Sequence, residues 1–188
     1  MEQPLRVTEV AVLSAVAHPL RRRLLDVLRV HGPQTVGGLS QRTGSAVGNV
    51  SHHVKVLADV GLLAEAPELA RDRRERWWRL KQAGIAWGED DFGDDPATTA
   101  TVAAATQLGL QRQLELTRAW LAAAPDEPEW RRAAMSSDAW LHLSPAELAE
   151  LADEVGALLG RWRERVVEDD GAARQPVFVF ARGFPATP

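Results

Sequence analysis

Residues 36–80 read VGGLSQRTGSAVGNVSHHVKVLADVGLLAEAPELARDRRERWWRL, and the order of signals in this stretch decides the fold. Thr35 is placed to cap a short helical run, 36–42, with Leu39 on its inner face. Gly44 follows where the chain must turn, at a position suited to positive φ. A second run, 46–60, repeats Val47, Val50, Val54 and Leu57 at three- and four-residue spacing, which predicts an amphipathic helix with most of that stripe inward. Its other face carries Asn49, Ser51, His52 and Lys55. Gly61 stands where a helix takes its C′ glycine. Residues 62–66 and 75–80 then read as two short strands, the second alternating Arg76, Trp78 and Leu80 against Trp77 and Arg79. The loop between them, PELARDRR, holds Arg71, Arg73 and Arg74.

Upstream, residues 8–17 put Val12, Ala15 and Val16 on one helical face, with Thr8 as the expected N-cap. Pro19 opens the next helix, at a position where proline is tolerated. Leu20, Leu24, Leu25 and Leu28 form its apolar stripe, and Gly32 and Pro33 stop it. Downstream, EDDFGDD (89–95) holds five carboxylates in seven residues and reads as a solvated linker. Residues 98–124 form a long alanine- and leucine-rich helix with Leu110, Leu114, Thr117 and Leu121 on one face. Ser144 to Glu147 is a capping box with proline at the first helical position, opening a helix to about residue 167. Finally QPVFVFARGF (175–184) alternates Val177, Val179 and Ala181 against Phe178 and Phe180, the pattern of a terminal strand.

The expected fold is mostly α with a small β-wing: a winged helix-turn-helix, then a helical C-terminal dimerisation and effector region ending in a short strand. Expected bounds are 1–88 for the DNA-binding domain, 89–97 for the acidic linker and 98–188 for the C-terminal region. The net charge of −4 divides unevenly, +5 over residues 1–88 and −9 over 89–188. A basic half can neutralise phosphates, whereas an acidic half is repelled by them and should face away. No run of 18 apolar residues occurs, so no membrane span is expected, and the charged N-terminus is no secretory signal. The absence of cysteine excludes disulfides and thiolate metal sites, and fits a cytoplasmic location.

Double-stranded DNA is the partner this pattern suggests. Side chains near the start of a recognition helix reach base edges; here these are Ala46, Val47, Gly48, Asn49, Ser51 and His52. Asn49 can pair bidentately with adenine, and Ala46 or an unburied Val47 can touch a thymine methyl. Gly48 lets the backbone approach closely, and Lys55, one turn on, is placed for a phosphate. The bland alternative is an ordinary amphipathic helix with a solvated face. Arg71, Arg73 and Arg74, with Arg76, make a wing patch suited to phosphates or a narrow minor groove; the alternative is a cluster paired with Asp72 and Glu75. Arg21, Arg22 and Arg23 oppose the dipole of the helix they begin. Phosphate contact by Arg21 would account for that placement, and at least one of the three is expected to lie over the core. His52 and His53 point about 100° apart on a helix, so they do not easily share a metal ion. One of Trp77 and Trp78 should be core and the other half-exposed.

The stretches HPLRRRLLDVL, LSQRTG, VSHHVKVLADVGLL and RWWRL resemble winged-helix repressors of the ArsR type, over roughly residues 8–82. Val50, Ser51, His52, His53, Leu57, Gly61, Leu62 and Leu63 carry the core of that resemblance. The C-terminal half looks like the long tails of ArsR-like regulators of actinomycetes. The resemblance implies a homodimer that binds an operator until a signal releases it, with the first helix and the post-wing helix building the dimer interface. Metal-sensing members use cysteines on the third helix or Asp/His/Glu sets on the last; this chain has no cysteine and its long helix no histidine. No cofactor is therefore expected, and an apolar small-molecule effector is the candidate signal. Arg118, His142 and Glu164 are its candidate polar partners. The residue that starts the recognition helix, usually Ser or Thr, is Ala46, which leaves Ser45 to cap one position early. A winged-helix protein-interaction module without sequence-specific DNA binding is the competing function, since fold does not imply function. An enzyme is not expected, because no phosphate loop, nucleophile elbow or metal-ligand spacing occurs.

Overall fold

The computed structural model describes residues 5–72, 75–81, 85–87, 92, 93, 95–123, 128–167 and 169–187. Two compact units are present, Pro4–Arg112 and Gln113–Pro188.

In the first unit, a two-residue strand β1 (Leu5–Arg6) leads to α1 (Val10–Val16) and α2 (Pro19–His31). Strand β2 (Gln34–Thr35) precedes α3 (Val36–Thr43) and α4 (Val47–Asp59). The hairpin is β3 (Leu63–Glu65) and β4 (Trp77–Leu80), with a 3-10 turn at Pro67–Leu69 in the loop. Strand β5 (Ile85–Ala86) pairs with β1 in parallel. The three-stranded antiparallel sheet has the order β2-β4-β3, with Leu63 opposite Leu80 and Gln34 opposite Trp78. This is a winged helix-turn-helix.

The predicted stripes converge on one core: Val12, Ala15 and Val16 of α1, Leu24, Leu25 and Leu28 of α2, Leu39 of α3, and Val50, Val54 and Leu57 of α4, with Leu13 added to it and Leu20 only partly buried against it. The long helix α5 (Pro96–Ala123) begins on this unit, and its Val102 and Ala105 join the same cluster with Phe92. An ionic tether reinforces that packing. The Asp26 carboxylate accepts from Arg112 Nε at 2.7 Å and from Arg29 at 3.1 Å.

Several local expectations need correction. Glu9, not Thr8, is the N-cap of α1, and no side chain caps that helix. Val47 is the member of the stripe that is not inward: it is 57% exposed, because the first residue of α4 projects beyond the packed part. Ser45 does not cap α4: Ala46 is the N-cap, and no side chain bonds there. Trp77 and Trp78 point to opposite faces of β4 and are both half-buried; Trp78 is the one that packs on the core, without being fully enclosed by it.

The second unit holds the remainder of α5, α6 (Pro128–Ala133) and α7 (Pro145–Glu164). The capping box of α7 forms as read. Ser144 Oγ accepts from the Glu147 N–H at 3.3 Å, and the Glu147 carboxylate accepts from the Ser144 N–H and hydroxyl, each at 2.7 Å. The bond from the Ser144 hydroxyl, then that from its backbone N–H, holds the Glu147 carboxyl below its usual pKa. Residues 175–184 form no strand ladder in the single chain, contrary to the expected terminal strand; alternation alone cannot make a strand without an edge to pair with.

Candidate nucleic-acid interface

The turn before α4 is tied by short side chains. Thr35 Oγ1 accepts from the Gly38 N–H at 3.1 Å, which caps α3. At the other end Gly44 has φ +67° and donates to the Ser40 carbonyl at 2.9 Å. The Ser40 hydroxyl then crosses the turn to the Ser45 carbonyl at 2.6 Å, and Thr43 Oγ1 donates to Leu39 at 2.7 Å. These bonds set the angle between α3 and α4. At its far end α4 closes in a Schellman motif: Leu62 N–H to the Leu57 carbonyl and Gly61 N–H to the Ala58 carbonyl, both 2.9 Å, with Gly61 at φ +76°.

Between those stops the helix has two distinct faces. Val50, His53, Val54 and Leu57 are buried. Ala46, Val47, Gly48, Asn49, Ser51, His52 and Lys55, all singled out from sequence, are exposed, and the first four are consecutive at the N-terminal end. Among the arginines, Arg21 is engaged within the fold. Its guanidinium donates to the Ala15 carbonyl through Nε and to the Ser14 carbonyl at 2.9 Å, tying off the last turn of α1. A phosphate contact by Arg21 has to use its remaining donors. Arg22 lies over the Trp87 ring, 5.8 Å from the centroid, and its burial, ahead of repulsion from Arg29, lowers its pKa.

In the wing, Arg71 is exposed, and its backbone N–H donates to Glu75 at 2.9 Å. Asp72 accepts from the Glu75 N–H at 3.0 Å, so the carboxylates of this loop shape its backbone. Two further arginines are paired across the hairpin, Arg76 with Glu65 at 3.4 Å and Arg79 with Glu68 at 2.6 Å. Arg73 and Arg74 lie outside the described residues. Among the described arginines of the wing, Arg76 and Arg79 are thus offset within the hairpin, whereas the Arg71 side chain is exposed.

Sequence reading missed a histidine cluster under the recognition helix. His18 is the N-cap of α2; its Nδ1 accepts from the Leu20 N–H at 3.2 Å, which places the ring proton on Nε2. Its ring lies 4.4 Å from that of His53, and the His52 and His53 rings are 5.2 Å apart. His53 is buried, with Nδ1 lacking a hydrogen-bond partner. Burial, then Arg21, then His52 lower the His18 pKa; burial, then His18, Arg21 and His52 lower that of His53. Contact between the His18 and His53 rings seats α4 on the start of α2. Among the described residues no group of three or more His, Cys, Asp or Glu side chains is arranged to hold a metal ion.

No described helix is long and apolar enough to cross a membrane. No curated protein matches the chain at a significant level. Among solved structures, a "possible transcriptional regulator for arsenical resistance" is 29% identical, covering 62% of this chain and 97% of its own, with a TM-score of 0.32. A transcriptional regulator from Thermotoga maritima is 14% identical, covering 80% of each chain, with a TM-score of 0.30. Residues 16–66, from the end of α1 to just past β3, match the family model of a helix-turn-helix domain, and over that span the chain is similar to such domains.

Proposed function

We propose that the chain is a sequence-specific DNA-binding transcriptional regulator, acting as a homodimeric repressor that a small-molecule signal, not a cysteine-based one, releases. The observation that carries this reading is α4. Its exposed residues form one surface, opposite a fully packed face, at the outer end of a locked helix-turn-helix. In this reading Ala46, Val47, Gly48, Asn49, Ser51 and His52 read base edges. Lys55, Arg71, Arg73, Arg74 and the free donors of Arg21 bind phosphates. The match of residues 16–66 to helix-turn-helix domains supports the assignment. In this reading the acidic C-terminal region builds the dimer and receives an apolar effector. The protein works in the cytoplasm.

The test is binding of the full chain to fragments of its own genome, by fluorescence anisotropy over a salt series. A sequence-dependent complex whose affinity falls steeply with salt is expected. Equal affinity for all fragments, or no complex at low salt, ends the reading in favour of a protein-interaction module.

A further inference from the structure

We propose that His18 and His53 form a proton-sensitive seat for the recognition helix, so that acid loosens α4 from α2 and releases DNA. The proposal rests on the DNA-binding reading above and adds a control to the same helix. It begins from position. His53 lies on the buried face of α4, next to His52, which is exposed on the face assigned to the groove. Its ring meets that of His18, 4.4 Å between centroids, where α2 begins. The contact joins the groove-facing helix to the helix beneath it, so whatever breaks it acts on the setting of α4.

Both rings sit where an added proton has no acceptor. His18 Nδ1 accepts from the Leu20 N–H at 3.2 Å. A charged imidazole is a donor at both nitrogens, so a charged His18 gives up this cap and turns one N–H toward another. It also sets a cation at the positive end of the α2 dipole. His53 is 8% exposed, and its Nδ1 is buried without a hydrogen-bond partner. As an imidazolium it carries a donor there with nothing to receive it. A buried polar group without a partner is costly, and a buried charge more so.

The surroundings offer no counter-charge. Helix α4 packs on α1, α2, α3 and β3. The charged and titratable groups that face the two rings are Arg21 of α2 and His52 of α4, and each ring faces the other. Helix α1 has no titratable residue. The one titratable residue of α3, Arg42, is bonded to His31 at 3.2 Å, and that of β3, Glu65, is paired with Arg76. On α2, Arg22 lies over Trp87, Arg23 is exposed, and Asp26 is held by Arg29 and Arg112. On α4, Lys55 and Asp59 are exposed. Among the described residues no carboxylate faces the cluster, and Arg21 is fixed beside it by its bonds to the Ser14 and Ala15 carbonyls. Burial first, and then these neighbours, make both histidines hold a proton less readily than a free imidazole. A histidine that regains its ordinary pKa on release shifts the release equilibrium by up to about tenfold between pH 7.5 and 5.5, and two shift it by up to about a hundredfold.

The test is fluorescence anisotropy of the full chain on the genomic fragment it binds at pH 7.5, repeated at pH 6.5 and 5.5 at constant ionic strength. The dissociation constant should rise at least fivefold by pH 5.5. His18→Asn keeps a capping oxygen for the Leu20 N–H and removes the imidazole, whereas His53→Phe keeps an aromatic ring against His18. Each should cut the rise at least twofold. A proton on His52, on the groove face, would tighten binding to phosphates, so His52→Gln removes an effect of opposite sign and should leave the rise in place. Amide hydrogen exchange of the free protein, corrected for its intrinsic pH dependence, gives a second readout. Peptides from 47–59 should lose protection toward pH 5.5 ahead of those from 24–31. An affinity that holds or tightens at pH 5.5, or a rise of equal size in the wild type and both seat variants, overturns the seat and leaves the DNA-binding reading standing. Protection lost from α2 and α4 together also overturns it, because acid would then unfold the unit rather than free one helix. No fragment bound at pH 7.5 overturns the DNA-binding reading and the release with it.

Discussion

Replacing Gly48 with alanine should raise stability and lower DNA affinity at once. Gly48 lies in the first turn of α4 on the exposed face, and a Cβ built there meets nothing within 4 Å. Its φ is not positive, so alanine fits the backbone without strain. Removing glycine from a helix reduces the entropy lost on folding by about 0.5–1 kcal/mol. For a unit of this size that is a rise of about 2–8 °C in Tm. On DNA the same methyl group fills the gap through which the backbone approaches the groove. Overpacking of one methyl at a close-fitted contact costs about 1–3 kcal/mol, or about 5–150-fold in Kd per half-site. Calorimetry of the free protein and anisotropy on the preferred genomic fragment read the two quantities separately. Opposite signs are the expected result. Higher Tm with unchanged affinity would show that this face of α4 does not lie against DNA, and lower Tm would refute the local helix geometry.

Asn49→Ala should weaken binding by about 1–3 kcal/mol and relax preference at one base position, while Lys55→Ala should weaken all sequences alike and flatten the salt slope by about 0.9 per contacted phosphate. Competition with single-base operator variants distinguishes them, and the two losing affinity in the same manner would contradict the assigned roles. Stability should fall as pH drops below 6.5, the ordinary imidazole value, because His18 and His53 titrate lower in the folded chain and the unfolded chain takes up protons first. That contribution is complete above pH 6.5 and is lost toward the lowered folded values. Urea midpoints at pH 7.5 and 5.5 should differ less in His53→Phe than in the wild type; equal differences would remove the cluster as the cause. Asp26→Asn should cost about 1.5–3 kcal/mol, since one carboxylate serves both Arg29 and Arg112. A urea midpoint unchanged from wild type would mean that the α2–α5 tether contributes little.

The polar face of α4 was legible in sequence because helix periodicity is local. Val50, Val54 and Leu57 recur at the spacing that one buried face requires, and the polar residues between them are exposed as expected. Gly44 and Gly61 announced both stops, since left-handed backbone at a helix end favours glycine. Sequence leaves Val47 open between core and groove, because periodicity says which face a residue occupies and not where cover on that face ends. The wing was read correctly as an arginine-bearing hairpin, yet pairing of Arg76 with Glu65 and of Arg79 with Glu68 depends on strand register, which the loop sequence does not state.

The amino-acid order by itself determined the run of helices α1 to α4, the β3–β4 hairpin after them, the Thr35 cap of α3, the capping box of α7 and which face of α4 is polar, because each rests on interactions within a few residues. Tertiary structure alone decided what distant segments do to one another. It brought His18 onto His53, paired β2 with β4, laid Val102 and Ala105 on the N-terminal core, and set Arg112 on Asp26, 86 positions away. Such contacts follow from the path of the whole chain, and no local pattern encodes them. The tail shows the same division: its alternation is written in residues 175–184, but a strand forms only where an edge pairs with it, and among the described residues none does.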